Sequence, residues 1–197
     1  DFDKNYPFDD EFVDSIKYAK GRKIEPSMLV VHFAVARSLP WLVQYFHEDI
    51  WKKDKRTAST HYCVGADGKV VNMVNFSDTA WTVGNGSKDQ KLQKSSYGNM
   101  KYGWWYDHRG NITSLVNDMS INFETCLYPQ DLVPDAIYKS IAERCRYHIK
   151  TMKEMRVWRI CGHEHMCPDA KTDPGVQWDW KKFFVEYMSV KPDFFEE

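Results

Sequence analysis

No stretch of this chain approaches the roughly 18 to 20 consecutive apolar residues needed to cross a bilayer, so the sequence offers no membrane span. An excess of one charge is also missing. The 27 Lys plus Arg stand against 28 Asp plus Glu, a net charge of -1, which removes the electrostatic case for a nucleic-acid or anionic-membrane partner. The cysteines Cys63, Cys126, Cys145, Cys161 and Cys167 are odd in number and lack C-x-x-C spacing. A zinc knuckle and a thioredoxin-like motif are therefore excluded, and mostly buried free thiols are expected. Internal repeats and low-complexity tracts are absent as well. The N-terminal Asp1-Phe2-Asp3-Lys4 has no basic-then-apolar signal pattern. Because the chain begins with Asp and not Met, an earlier export signal, and with it the compartment, stays open.

What is present fits one domain. A chain of 197 residues suffices for a full core, whereas two domains would each be cramped. Aromatic residues reach 15%, with 8 Trp, enough to fill a core and leave rings for a groove. Phe8, Phe12, Ile16 and Ala19 recur at helical spacing, which predicts a short helix ended by Gly21 within an N-terminal extension, residues 1–26, packed on a main domain of residues 27–197. Ser27 to Val35 reads as a buried strand interrupted by His32. Ser38 as N-cap and Pro40 in the first turn open an amphipathic helix from Leu39 to Glu48. Asp67-Gly68 between two β-rich runs marks a hairpin. Gly84 to Asp118 reads as a long loop that could wall a groove. Ser120 to Leu127 alternates like a strand, with Asn122 and Glu124 on one face. Pro134 opens a helix carrying Ile137, Ile141, Cys145, Ile149 and Met152, and Val157 to His163 returns as a strand. The sum is an α/β fold, a central mixed β-sheet flanked by helices with functional residues near strand ends.

The densest chemistry lies between Gly162 and Gly175, where His163, Glu164, His165, Cys167, Asp169, Lys171 and Asp173 crowd a turn-rich stretch. A catalytic zinc takes three protein ligands and keeps a fourth position for water. His32, His163 and Asp173 satisfy that count, although His32 alone would more simply be a hydrogen-bonded core histidine. Spacing does not single out this set, because His165, Cys167 and Asp169 are also able ligands.

Five blocks in order narrow the choice: V-V-H at Val30 to His32, S-T-H-Y with the Asp-Gly hairpin, Ala80-Trp81, Asn117 to Glu124 as N-D-M-S-I-N-F-E, and Gly162-His163 with K-T-D-P-G at Lys171 to Gly175. From about Leu29 to Trp180 the chain resembles the zinc-dependent N-acetylmuramoyl-L-alanine amidases, the type 2 amidase and peptidoglycan recognition protein family. The resemblance implies Zn2+ held by His32, His163 and Asp173, with Glu124 and Lys171 catalytic, while His165 and Cys167 match no ligand position. It implies a peptidoglycan or muropeptide substrate and hydrolysis of the bond between N-acetylmuramic acid and L-alanine, as in phage endolysins. A groove for that substrate would be lined by Trp81 and His61, with Trp104 to Tyr106 as further candidates. Departures fall at Pro168-Asp169-Ala170-Lys171, Ala34 and Thr82-Val83, and none removes a ligand. The alternatives are a non-catalytic peptidoglycan-binding module and a zinc peptidase cutting within the stem peptide. Oligomeric state is not encoded legibly; a monomer is the default expectation.

Overall fold

The computed structural model describes residues 6–48, 58–83, 105–106, 109–113, 116–166 and 171–189. The N-terminal segment is extended, with strands β1 (Glu11–Phe12) and β2 (Tyr18–Ala19) in place of the expected helix. The reason lies in where its backbone donors go. Val13 N–H bonds Asn72 O at 2.9 Å and Ser15 N–H bonds Met73 O at 2.8 Å, so a sheet edge takes the groups a helix would satisfy internally. Phe12 and Ile16 remain exposed, so their helical spacing marks no buried stripe. Asp10 forms a buried ion pair with Arg144, whose guanidinium sits 4.4 Å above the Phe8 ring. Removing one partner of such a pair costs about 3–5 kcal/mol.

β3 (Met28–Phe33) follows, then α1 (Leu39–His47), whose N-cap Ser38 accepts from Trp41 N–H. β4 (Tyr62–Val64) and β5 (Val70–Asn72) form the antiparallel hairpin announced by Asp67-Gly68. Gly68 has φ +83, and a Cβ there would lie 2.9 Å from Ala136 O, so both conformation and space demand glycine. β6 (Thr79–Ala80) pairs with β2. In the stretch read as one long loop, β7 (Trp105–Tyr106) pairs with β8 (Ile112–Thr113), and α2 (Val116–Met119) leads into β9 (Ser120–Thr125). Residues 84–104, 107–108 and 114–115 of that stretch, Trp104 included, lie outside the described residues. α3 (Asp135–Thr151) starts after Pro134 as its sequence indicates. The expected strand from Val157 is shortened by a 3-10 turn to β10 (Ile160–Gly162), followed by α4 (His163–Met166) and α5 (Trp180–Ser189). Among the described residues no helix is long and apolar enough to cross a membrane.

The main sheet is mixed, in the order β1-β5-β4-β9-β3-β10, with only β4 and β5 antiparallel. Side chains alternate across it. Leu29, Val31, Ile121 and Phe123 face one way, into a cluster with Ile137, Ile141 and Cys145 of α3 and Phe183 of α5. Each buried side chain of this size contributes about 1.5–3 kcal/mol. Met28 and Val30 face the other way, toward Val116, Met119 and Met166. With both faces covered, strand register decides which side chains meet, because a shift by one residue would exchange the faces.

Candidate metal and active site

The parallel register of β3 and β9 sets His32 opposite Glu124 and Val30 opposite Asn122. His32, Asn122 and Glu124 therefore share the face away from α3, with His32 and Glu124 near the C-terminal ends of their strands, where α/β sheets present functional groups. β10 lies along the other side of β3, and His163 follows its last residue. Asp173 reaches the same place because its segment packs directly on that strand. A Cβ on Gly162 would meet Pro174 Cδ at 2.2 Å, so any side chain there would push Asp173 away. The Asp173–Pro174 bond is cis, and Glu164 N–H donates to Asp173 O at 2.8 Å.

Three acceptor atoms converge. His32 Nδ1 lies 3.1 Å from His163 Nδ1 and 2.9 Å from Asp173 Oδ2, and His163 Nδ1 lies 3.1 Å from the same oxygen. All three residues are buried and form a possible metal site. Lone pairs this close need positive charge between them, either protons or a cation. Ligands bound at about 2.0 Å to a tetrahedral zinc ion would stand about 3.3 Å apart, so the triangle is a slightly contracted version of such a face. Two imidazoles and one carboxylate also suit the donor chemistry. The residues present fit the group.

The electrostatics follow from burial and the shared carboxylate. Burial opposes protonation of His32, but the bond to Asp173 and the charges of Glu124 and Asp173 outweigh it and raise its pKa. Burial lowers His163 to about 4 against the pull of Asp173. For Asp173, burial is overcome by bonds from His163 and His32, which hold the carboxyl well below its usual range. Glu124 is raised to about 7, chiefly by burial, with Asp173 adding and His32 and Lys171 opposing. Its Oε2 is shielded from solvent and has no hydrogen-bond partner among the described residues. Lys171 is exposed, and its charge acts on both Glu124 and His163.

The remaining candidates fall elsewhere. His61 is fully enclosed, with Asn122 N–H donating to Nδ1 at 3.2 Å and the Arg22 guanidinium 2.7 Å from Nε2. A ring with no exposed surface cannot contact substrate, so its expected groove role gives way to one inside the fold. Trp81 is half-buried after β6, its N–H held by Ser59 Oγ at 2.8 Å. No described hydrogen bond or ring contact joins it to the convergent residues. His165 turns back to accept Gly162 N–H at 2.9 Å and packs on Trp180. Cys167 and Asp169 lie outside the described residues, as do the side chains of Trp105 and Tyr106. Cys63, Cys126 and Cys145 are buried free thiols. The sequence reading gave no role to Asn122, whose Oδ1 lies 3.1 Å from His32 Nε2. Its signal was the alternation that put it on the face of Glu124.

The chain is similar to known proteins over much of its length. The 1,6-anhydro-N-acetylmuramyl-L-alanine amidase AmpD of Haemophilus influenzae is 27% identical over 125 residues, 64% of this chain and 56% of that protein. The chain thus matches little more than half the length of that relative. AmpD of Salmonella typhimurium (strain SL1344) is 27% identical over 174 residues, 81% of this chain and 79% of that one. The crystal structure of a selenomethionine AmpD derivative superposes with a TM-score of 0.69 at 25% identity, covering 94% of this chain and 98% of the other. The profile of the family described as N-acetylmuramoyl-L-alanine amidase matches residues 21–176, which span the sheet, Glu124 and all three convergent residues, and the chain belongs to that family.

Proposed function

We propose that the protein is a zinc-dependent hydrolase that cleaves the amide bond between N-acetylmuramic acid and L-alanine in peptidoglycan or its fragments. The observation that carries this reading is the convergence of His32 Nδ1, His163 Nδ1 and Asp173 Oδ2 beside Glu124, whose Oε2 is shielded from solvent. The activity named for the Haemophilus influenzae relative supports it. Zinc held by those three residues would polarise both a water, bringing its pKa to about 7, and the substrate carbonyl. Glu124, whose pKa burial raises, accepts the proton of the attacking water and returns it to the leaving amine of L-alanine. The Lys171 ammonium offsets the negative charge that grows on the carbonyl oxygen as the carbon becomes tetrahedral. The half-exposed Trp81 ring offers an apolar wall to the sugar or peptide.

The test is incubation of zinc-loaded protein with purified sacculi and with soluble anhydromuramyl peptides, followed by mass spectrometry of the products. Release of peptides with a free L-alanine amino terminus is expected. Cleavage between amino acids of the stem would make the protein a peptidase. Retention of uncleaved wall would make it a binding module.

A further inference from the structure

A chain of hydrogen bonds behind His32 has a direction that can be worked out from its far end. Asn117 O can only accept, so the Ser120 hydroxyl, 3.3 Å away, donates to it. Ser120 Oγ then presents its lone pairs to Asn122 Nδ2 at 2.9 Å. With its amino end so engaged, Asn122 presents Oδ1 to His32 Nε2 at 3.1 Å, and the proton between them belongs to the histidine. In the neutral ring His32 Nδ1 then carries the lone pair, aimed at His163 and Asp173. Ser120 and Asn122 are fully buried and His32 nearly so, so no solvent competes along the chain. The Asn122 backbone is fixed as well: its carbonyl accepts from Thr60 Oγ1 at 3.1 Å and its N–H donates to His61 Nδ1 at 3.2 Å. His163 has no equivalent support, because its Nε2 is buried without a hydrogen-bond partner among the described residues.

We propose that Asn122 is a positioning residue which, oriented by Ser120, accepts the His32 Nε2 proton and so holds His32 in the tautomer and ring orientation that metal binding through Nδ1 requires. The inference rests on the metal reading of the site and assigns its preorganisation to one ligand more than the other. Partners of this kind around metal-bound histidines typically alter metal affinity 10- to 100-fold.

The experiment measures zinc affinity by competition with a chromogenic chelator in the wild type and in Asn122→Leu, Asn122→Asp and Ser120→Ala. Leu keeps the approximate volume but removes the acceptor, and its affinity is expected to fall about 10- to 100-fold. Asp keeps the acceptor, and the Ser120 hydroxyl can rotate to donate to it, so affinity within a few-fold of wild type or tighter is expected. Ser120→Ala, which frees the amide to turn over, should fall between Leu and wild type. If Asn122 merely filled space the order would invert, since a buried apolar side chain would be tolerated better than a buried carboxylate. Wild-type affinity in the Leu variant, or a folded Asp variant that binds zinc more weakly than Leu, overturns the proposal. Should Asn122→Leu fail to fold, the Asp and Ser120→Ala affinities still decide it. Absence of zinc uptake by the wild type is a different result, which removes the metal reading itself.

Discussion

His32 and His163 are as deeply buried as His61 and His148, yet the two pairs meet opposite surroundings. Around His61 and His148 donors, an acceptor and rings are mixed: the Arg22 guanidinium and Asn122 N–H flank His61, whose Nε2 also faces Asp78 O at 3.4 Å, while His148 Nε2 faces the Tyr62 hydroxyl at 2.7 Å and its ring packs edge-on against Phe76 at 4.5 Å. Both are held neutral, His61 well below its ordinary pKa and His148 at about 3, by burial first and then by arginine charge. Around His32 and His163 the neighbours are acceptors, each ring's Nδ1 facing the other and Asp173. Burial of a histidine therefore distinguishes nothing. Convergence of several lone pairs on one point separates a place built for a cation from a ring that is merely buried.

The strongest way to break this contrast is Asp173→Ala. It removes one corner of the triangle and is expected to abolish zinc uptake and lower amidase turnover at least about 1,000-fold, the several kcal/mol a metal supplies. Full zinc content in that variant, measured by elemental analysis, would mean that the acceptors do not hold the ion together. Next, Glu124→Gln should retain zinc while turnover drops about 100- to 10,000-fold, and Lys171→Ala should retain zinc with a smaller loss, on the order of 100-fold. Loss of metal from the Glu124 variant would move that residue from proton transfer to ligation. The smallest effect lies on the other side of the contrast. A neutral His148 with a folded pKa of about 3 and an unfolded value near 6.5 lets the unfolded chain bind more protons between those limits. Stability should therefore fall as pH drops below about 6.5, each such histidine contributing up to about 1.4 kcal/mol per pH unit. Denaturant melts of His148→Gln should show a shallower slope than wild type, and identical slopes would count against a neutral buried ring.

Elements defined by neighbouring residues were legible in the chain itself. Ser38 and Pro40 start α1, Pro134 precedes α3, and Asp67-Gly68 makes the β4–β5 turn, each through chemistry confined to a few residues. Alternation in Ser120 to Thr125 placed Asn122 and Glu124 on one face. Trp180, Phe183, Phe184 and Tyr187 had the spacing of a helical stripe and would have disclosed α5. The N-terminal segment was misread because its strands exist only where the β5 edge and β6 accept them, and strand formation follows tertiary context more than local preference.

By itself the sequence determined the alternating faces, the caps and turns, and, through ordered motif resemblance, a short roster of chemically able residues. Tertiary structure alone decided which of them share a point in space and which way each proton runs. His32 meets Asn122 across 90 residues and Asp173 across 141, and neither register nor hydrogen-bond direction is written in residues that close on each other only after the sheet has formed. The same closure enclosed His61, because burial is a property of the packed sheet and not of the residue.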